Sequence, residues 1–270
     1  MIAISDNIQV RNDAPSGTIV INRPNRRNAL SREIVAMLKQ AFQDLLLESG
    51  VKAVILTGSG STFCSGSDLY QLQETAEGNE PMKVWNQDVE DLLELVQIML
   101  NYPKPILAAV NGPAVGIGCA LMLACDLVVA ADSASILMPE ARRGLSSSFT
   151  APLLAFRSST GIASSILLSG RNVSASEGIS LGIFHELVGF DLVWARANEL
   201  AKECASGARE SHQMTKQILN ETVGEDLITH LTIGAANMAA ARTTNAAKEG
   251  IDAFLKKRTP NWESIFKEMD

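Results

Sequence analysis

The sequence predicts an α/β fold followed by a helical C-terminal region. Within residues 1–190, short apolar runs rich in Val, Ile and Leu alternate with stripes of helical period. Turns rich in Gly and Pro separate these runs, as expected where strands and helices follow one another closely. From Asp191 onward no segment has the pattern of a strand. We therefore expect an α/β core in residues 1–190 and a helical region in residues 191–270.

Composition narrows the classes of function. The chain has 270 residues, of which 46% are hydrophobic, enough for a large core. Its formal net charge of -7 offers no basic surface for nucleic acid. With only three His and no CxxC pair, a zinc site is not expected. The cysteines are predicted to be reduced, buried thiols, as is typical of a cytoplasmic protein. They are Cys64, Cys119, Cys125 and Cys204.

Neither a signal peptide nor a membrane span is expected. The opening MIAISDNIQVRND has no basic region followed by an apolar run. The longest apolar stretch, residues 106–131, is interrupted by Asn111, Pro113 and Asp126. It therefore predicts several short buried elements rather than a transmembrane helix.

The first elements follow from apolar runs and capping residues. Thr18–Ile21 is predicted to be a strand, and Ser31 is predicted to be a helix N-cap with Glu33 in the first turn. Gly50 is a plausible end of this helix, and Ala53–Thr57 is predicted to be a buried strand. The helical stripe between them consists of Ile34, Val35, Leu38, Ala41, Phe42, Leu45 and Leu46.

The segment Gln73–Met82 is polar and contains Gly and Pro, which predicts a mobile loop. The sequence leaves open whether it is a lid over a site or an ordinary exposed connection. A helix is predicted at Val84–Leu100, before Pro103 and Pro105.

A strand, a glycine-containing turn, a helix and another strand follow. The strand is predicted at Ile106–Val110 and the turn at Asn111–Gly118. The helix is predicted from there to about Cys125, and the second strand at Leu127–Ala131. The C-terminal helices are predicted at Asp191–Ala205, Arg209–Glu221, Asp226–Ala241 and Ala246–Lys256.

Several common motifs are absent or incomplete. Gly116-Ile117-Gly118 begins like a dinucleotide fingerprint, but Leu121 stands where that motif needs a third small residue. The sequence has no phosphate-binding GxxxxGK[ST] and no GxSxG nucleophile elbow. The serine run 146–148 has no base beside it in the sequence, although His185, His212 and His230 could approach it in the fold. A serine hydrolase is therefore disfavoured.

Four stretches in the correct order resemble the enoyl-CoA hydratase/isomerase (crotonase) family. The first is INRPNRRNALS, residues 21–31, and the second is AVILTGSGSTFCSGSDLYQL, residues 53–72. The longest is KPILAAVNGPAVGIGCALMLACDLVVAADSASILMPEARRGL, residues 104–145, and the last is KEGIDAFLKKRTPNW, residues 248–262. The resemblance implies a crotonase-like spiral of ββα repeats with a helical C-terminal trimerisation region. It also implies homotrimers or dimers of trimers, an acyl-CoA substrate and no cofactor apart from the coenzyme A of that substrate.

The resemblance implies an oxyanion hole made of two main-chain N–H groups, those of Ser67 and Ile117. Such donors stabilise the negative charge that develops on a thioester oxygen when the α-carbon loses a proton. Ile117 replaces the usual Gly, and a β-branched residue is unfavourable at positive φ, which puts this donor in question. By the same resemblance coenzyme A is bound near Arg26, Ser65, Gly66, Asp68, Leu69, Gly116, Phe254 and Lys257. The last two belong to the same or a neighbouring subunit.

The acid–base residues separate the possible reactions. Family hydratases carry two glutamates, and the corresponding positions here are Ala120 and Glu140. The carboxylate that some isomerases carry after the PE motif corresponds to Ser148. One carboxylate suffices for a double-bond shift, whereas hydration benefits from two, so a Δ3,Δ2-enoyl-CoA isomerase is favoured over a hydratase. A non-catalytic acyl-CoA binder is the alternative of another class.

Three acidic residues also have a simpler interpretation. Glu140 could be an exposed or salt-bridged residue beside Arg142 and Arg143. These arginines and the serine run 146–148 depart from the usual family loop and could reshape the acyl pocket. Asp68 and Asp126 match family positions, but we expect both to cap turns or helices through side-chain hydrogen bonds.

Overall fold

The computed structural model describes residues 2–3, 6–223 and 226–263. The strands are β1 (Ile2–Ala3), β2 (Ile8–Asp13), β3 (Ser16–Ile21), β4 (Ala53–Gly58), β5 (Ile106–Val110), β6 (Ala114–Val115), β7 (Leu127–Ala131), β8 (Ser135–Leu137), β9 (Asn172–Ser174) and β10 (Glu186–Val188). The α-helices are α1 (Arg32–Leu47), α2 (Leu69–Glu77), α3 (Pro81–Leu100), α4 (Ile117–Ala124), α5 (Thr150–Arg157), α6 (Thr160–Ser169), α7 (Ala175–Ser180), α8 (Val193–Ala205), α9 (Arg209–Gln217), α10 (Leu227–Arg242) and α11 (Asn245–Leu255).

The larger sheet has seven strands in the order β1-β2-β3-β4-β5-β7-β10. β1, β2 and β3 are antiparallel neighbours, and the pairs from β3 to β10 are parallel. Every residue of β3, β4 and β5 is buried, as expected for parallel strands covered on both faces. This burial explains why the sequence shows them as continuous apolar runs.

Helices α1 and α8 cover opposite faces of this sheet. A Cβ on Gly17 would lie 2.8 Å from Cδ2 of Leu45 in α1. The next residue of the strand, Thr18, accepts a hydrogen bond from Nε1 of Trp194 in α8, at 3.2 Å. Successive residues of a strand face opposite sides, so the two helices sandwich β3.

A second, three-stranded sheet in the order β6-β8-β9 makes the repeat visible. β5 and β7 belong to the large sheet, and β6 and β8, which follow them, belong to the small one. An isolated bridge between Cys64 and Ala114 places the chain after β4 alongside the small sheet in the same way. The three segments that begin with β4, β5 and β7 thus contribute to both sheets before the next helix begins, as expected for the ββα spiral of the resemblance.

The predicted helical end of the chain is confirmed for the described residues after Val188, which contain helices and no strand. Helix α9 ends earlier than predicted and continues as a π-helical turn, Ile218–Val223. Helix α10 packs against α3 and α5, and α11 packs against α2. In the described ranges no helix combines the length and apolar character needed to cross a membrane.

The prediction of a mobile loop at Gln73–Met82 is wrong. Residues 73–77 belong to α2, and α3 begins at Pro81, where a proline fits the first helical turn. Helix α2 is held to the start of α1, because the main-chain N–H of Arg32 donates to Oε1 of Gln71 at 2.9 Å. The Gly and Pro therefore mark a short break between two helices.

Candidate active site

An extended segment around Gly66 forms one wall of the candidate site. The N–H of Leu30 donates to the carbonyl of Gly66 at 2.8 Å, and the N–H of Asp68 donates to the carbonyl of Leu30 at 2.9 Å. In this parallel pairing the N–H of Ser67 points away from Leu30. Gly66 has φ +88°, and a Cβ there would lie 2.7 Å from the carbonyl oxygen of Val115, so only glycine allows this approach.

The opposite wall is the turn into α4. Gly116 precedes the helix with φ +54°, and Ile117 is its first residue, so the Ile117 N–H has no acceptor within the helix. A Cβ on Gly66 would lie 3.5 Å from the nitrogen of Ile117, which shows how closely the two walls meet. The concern about a β-branched residue at positive φ does not apply, because Gly116 carries the positive φ and Ile117 does not.

The structure brings Ser67 and Ile117 to the same cleft. We call it the main cleft; Gly66, Leu69, Gly116 and Glu140 also border it, and its space is about 480 Å³ including the open mouth. The start of a helix is a favourable environment for an anion, since the first N–H groups are unpaired and the dipole is positive there. The main cleft therefore has two candidate donors for an oxyanion.

Glu140 lines the main cleft and is buried, with 9% of its surface exposed. The hydroxyl of Ser147 donates to its Oε2 at 2.9 Å. Burial raises the pKa of Glu140 above the usual carboxyl range, although the hydrogen bonds and the charge of Arg143 oppose this shift. Glu140 is thus not the exposed, salt-bridged residue of the simpler interpretation.

Other acidic groups near the main cleft are already engaged. Among the residues that the structure describes, Glu140 is the one carboxyl group that lines the main cleft. Asp68, at the edge of a neighbouring pocket, pairs with Arg23 at 3.2 Å. Ala120 is fully buried in α4. A second carboxylate at the position of Ala120 is therefore missing from the cleft.

The serine run has local structural partners. Ser147 bonds Glu140, and the hydroxyl of Ser148 donates to the carbonyl of Gly234 at 2.9 Å. His185 accepts a hydrogen bond from the N–H of Val128 at 2.9 Å, and none of the three histidines lines the main cleft. Within the part of the chain that the structure describes, the serine run therefore forms no nucleophile–base pair of a serine hydrolase.

The residues predicted to bind coenzyme A also include Arg26, Phe254 and Lys257, which belong to other segments of the chain. The guanidinium of Arg26 lies 4.6 Å from the ring centre of Tyr70. The guanidinium of Arg143, which lines the main cleft, lies 4.2 Å from the ring centre of Phe254. Lys257 follows α11 with φ +53°. Arg26, Phe254 and Lys257 do not line the main cleft themselves.

Ser65 and Leu69 occupy the rim of the main cleft. The N–H of Ser65 donates to the carbonyl of Arg27 at 3.0 Å, which ties the rim to the arginine loop. Asp68 occupies the N-cap position of α2 but makes no cap hydrogen bond, so that part of the expectation is wrong. Asp126 does hold the main chain, accepting from the N–H of Ile106 at 2.7 Å.

Helix α11 is attached to the turn that carries Glu140. The main chain approaches so closely that a Cβ on Gly144 would lie 2.1 Å from the carbonyl oxygen of Ala246. A Cβ on Gly250 would lie 2.1 Å from the carbonyl oxygen of Arg143. Two glycines on opposite sides of one contact therefore allow the helix and the turn to pack backbone against backbone.

Arg242 and the hydrogen bond of Ser147 to Glu140 are not among the sequence predictions. Arg242 is the last residue of α10, is 6% exposed and borders the main cleft. A signal for it exists, since Arg242 follows the buried Ala235, Met238 and Ala239 at helical spacing. Ser147 had no comparable signal, because its partner depends on the path of a loop.

The fold and the cleft define an α/β protein in which two main-chain amides and one buried carboxyl group border a single cleft. The sequence model described as "Enoyl-CoA hydratase/isomerase" matches residues 14–265. The chain belongs to the enoyl-CoA hydratase/isomerase family, and the family predicted from the four motifs is confirmed.

Relatives and solved structures agree with this assignment. The chain is 37% identical over 245 residues to a "Putative enoyl-CoA hydratase" of Thermus thermophilus, covering 90% of this chain and 96% of that protein. It is 28% identical over 257 residues to the "Short-chain-enoyl-CoA hydratase" of Clostridium acetobutylicum, covering 94% and 96%. A crystal structure of an enoyl-CoA hydratase/isomerase from Mycobacterium paratuberculosis has a TM-score of 0.84 at 26% identity, covering 92% of this chain and 98% of that one. The fold is that of the crotonase family.

Proposed function

We propose that the protein isomerises 3-enoyl-CoA thioesters to their 2-enoyl isomers. The thioester oxygen accepts hydrogen bonds from the N–H groups of Ser67 and Ile117, which stabilise the enolate. Glu140 takes a proton from C2 and returns it at C4. The observation that carries the proposal is that these amides and a single buried carboxyl group border one cleft.

The environment of Glu140 suits a residue that must accept and then release a proton. A carboxyl group whose pKa is raised toward the working pH is a stronger base than an ordinary one, and its acid form is accessible as well. The Ser147 hydrogen bond fixes Oε2. The other oxygen, Oε1, lies next to Gly116 in the turn before the Ile117 amide.

Hydration of a 2-enoyl-CoA is the second candidate, and the hydratase names of the two relatives favour it. Hydration requires a water molecule to be held, deprotonated and added while C2 receives a proton. Ala120 replaces the second carboxylate in this chain, which favours the one-base reaction. A non-catalytic acyl-CoA binder remains the third outcome of the test below.

Coenzyme A is proposed to lie along the rim that joins Ser65 to the arginine loop. Arg26 and Arg143 supply the positive charge for its phosphates. Both guanidinium groups stack on aromatic rings, Tyr70 and Phe254, which limits the freedom that binding would otherwise remove. We also propose assembly as a trimer or a dimer of trimers, which light scattering of the purified protein tests directly.

The experiment follows absorbance of the conjugated thioester. With a 3-enoyl-CoA, conjugation appears if the protein is an isomerase. With crotonyl-CoA, conjugation disappears if the protein is a hydratase, and that result would replace the isomerase proposal. Binding of both thioesters by calorimetry without either spectral change would make the protein a non-catalytic binder.

The variant Glu140→Gln identifies the base. The amide keeps the size of the side chain but cannot accept a proton, so kcat is expected to fall about a hundredfold or more. Glu177→Gln, on α7 and paired with Arg171, is the matched control and keeps the wild-type rate. A near-normal rate for Glu140→Gln would remove Glu140 from the mechanism.

A further inference from the structure

A second pocket adjoins the main cleft, and its lining combines apolar side chains with four charged ones. Ser67, Ile117 and Arg242 border both spaces. Arg32 and Asp88 border only the second pocket, which we call the side pocket. An acyl group whose carbonyl is held by the amides of Ser67 and Ile117 can extend from the main cleft into the side pocket.

The positive charges of the side pocket exceed the negative charge available to them. Arg32 binds the carboxylate of Asp88 with two nitrogens, Nε to Oδ1 and Nη2 to Oδ2, the latter at 3.0 Å. Nη1 of Arg242 lies 3.9 Å from the same Oδ2, beyond hydrogen-bond distance. One carboxylate thus faces two guanidinium groups. Asp68, which also lines the pocket, is already paired with Arg23.

Arg242 is the unsatisfied member of this cluster. Its side chain is 6% exposed, and its Nη1 is buried without a hydrogen-bond partner among the residues that the structure describes. Burial lowers the pKa of Arg242 to about 10, which Asp88 only partly opposes. A buried cation without a full partner is unfavourable for folding, so its presence at the border of a ligand cleft points to a ligand that completes it.

We propose that the acyl group of the substrate carries a carboxylate, which binds Arg242 in the side pocket. This inference rests on the proposed acyl-CoA function and names the class of acyl group, the monothioesters of short dicarboxylic acids. A carboxylate matches the planar donors of a guanidinium and cancels the excess positive charge. An aliphatic chain in the same place would leave Nη1 unpaired and shield it further from water.

Calorimetry with two unreactive ligands of equal length tests this proposal. Glutaryl-CoA carries a terminal carboxylate, and its monoamide analogue, glutaramoyl-CoA, is the neutral match in shape. The wild-type protein is expected to bind glutaryl-CoA at least about tenfold more tightly than the amide. The ratio of the two dissociation constants isolates the charge of the acyl terminus, since coenzyme A is common to both.

Variants assign the preference to one residue. Arg242→Met keeps the length and removes the charge, so the ratio is expected to fall to about one. Arg242→Lys keeps a charge but loses the planar pair of donors, so the ratio is expected to lie between the two. Arg171→Met removes the same charge from a residue whose ion pair with Glu177 lies outside both pockets, and it should keep the wild-type ratio.

The outcomes separate this inference from the function on which it rests. Equal affinity of the wild-type protein for both ligands, or a preference for the amide, overturns the inference and leaves acyl-CoA binding intact. A preference that persists in Arg242→Met overturns the assignment to Arg242. Absence of binding for both ligands overturns the proposed function and the inference together. The wild-type ratio decides the class of acyl group without any variant. If Arg242→Met misfolds, Arg242→Lys, which retains the charge, tests the assignment to Arg242, and an unchanged ratio in that variant overturns it.

Discussion

The carboxyl group of Glu140 occupies the space that a side chain on Gly116 would need. A Cβ on Gly116 would lie 2.6 Å from Oε1 of Glu140. The main-chain turn before the Ile117 amide and the buried carboxyl group are therefore packed as one unit. Gly116 is required both for its φ of +54° and for the room it leaves.

Replacement of Gly116 is expected to damage activity more than stability. In Gly116→Ala the new methyl group displaces Glu140 and disturbs the Ile117 donor, so kcat is expected to fall about a hundredfold or more. Gly182→Ala is the matched control, because Gly182 also has positive φ, +71°, but nothing lies within 4 Å of its Cβ position. Backbone strain in Gly182→Ala is expected to lower the unfolding free energy by only about 1–2 kcal/mol. Equal activity of the two variants would contradict the packing argument.

Replacement of Ser147 is expected to shift the pH dependence of the reaction. The Ser147 hydroxyl stabilises the ionised form of Glu140 and so lowers a pKa that burial has raised. Because the base must be ionised, kcat/KM falls as the pH drops through the pKa of Glu140. In Ser147→Ala this pKa rises further, so the acid limb moves to higher pH.

The pH profile of Ser148→Ala is the control for this measurement. The hydroxyl of Ser148 donates to the carbonyl of Gly234 and makes no hydrogen bond to Glu140. The acid limb of the Ser148→Ala profile is therefore expected to stay in place. If both serine variants shift the limb equally, the effect comes from the loop and not from the hydrogen bond to Glu140.

Asp126 is expected to contribute to the stability of the fold and not to catalysis. Its Oδ2 accepts from Nζ of Lys216 at 2.8 Å and from the N–H of Ile106 at 2.7 Å. Asp126→Asn leaves the buried Lys216 without its counter-charge, which is expected to cost about 3 kcal/mol of unfolding free energy. Urea denaturation measures this loss, and kcat of the folded fraction should stay at the wild-type value. Asp132→Asn, at an exposed position, serves as the control with a change below about 0.5 kcal/mol.

Asn28 is expected to hold the arginine loop in shape. It is fully buried with φ +57°, and its Nδ2 donates to the carbonyls of Ser59 and Thr62. Asn28→Ala removes these bonds and retains a backbone conformation that alanine disfavours, so a loss of about 3 kcal/mol is expected by denaturation. Asn22→Ala loses an exposed hydrogen bond to Asp6 and should cost less than about 1 kcal/mol. Similar losses for the two variants would show that Asn28 has no special role.

The central strands of the large sheet could be predicted because they are buried and therefore appear in the sequence as apolar runs. The side chain and position of Ser31 predict an N-cap, and its Oγ does accept a hydrogen bond from the N–H of Ile34. The small sheet could not be predicted, since β6 has two residues and β8 and β9 have three each. Such short strands carry no readable period and depend on tertiary pairing.

Some residues of the candidate site could also be predicted from the sequence, whereas their arrangement depends on tertiary contacts. Ser67, Ile117 and Glu140 could be named from motifs, but their common cleft depends on backbone contacts between Gly66 and Val115 that no motif expresses. The sequence does not predict the position of Arg242, because charged residues usually lie at the surface even where their helical spacing matches buried neighbours. The charge balance around Arg242 also depends on Asp88, which lies on another helix, α3.

The glycine contact between helix α11 and the turn of Glu140 has a mechanical consequence. Main chain packed on main chain has no side chains that could rearrange to absorb a displacement. A ligand that moves the carboxyl group by moving its turn must carry the last described helix with it. A displacement of α11 and a displacement of the turn that carries Glu140 are therefore expected to accompany each other.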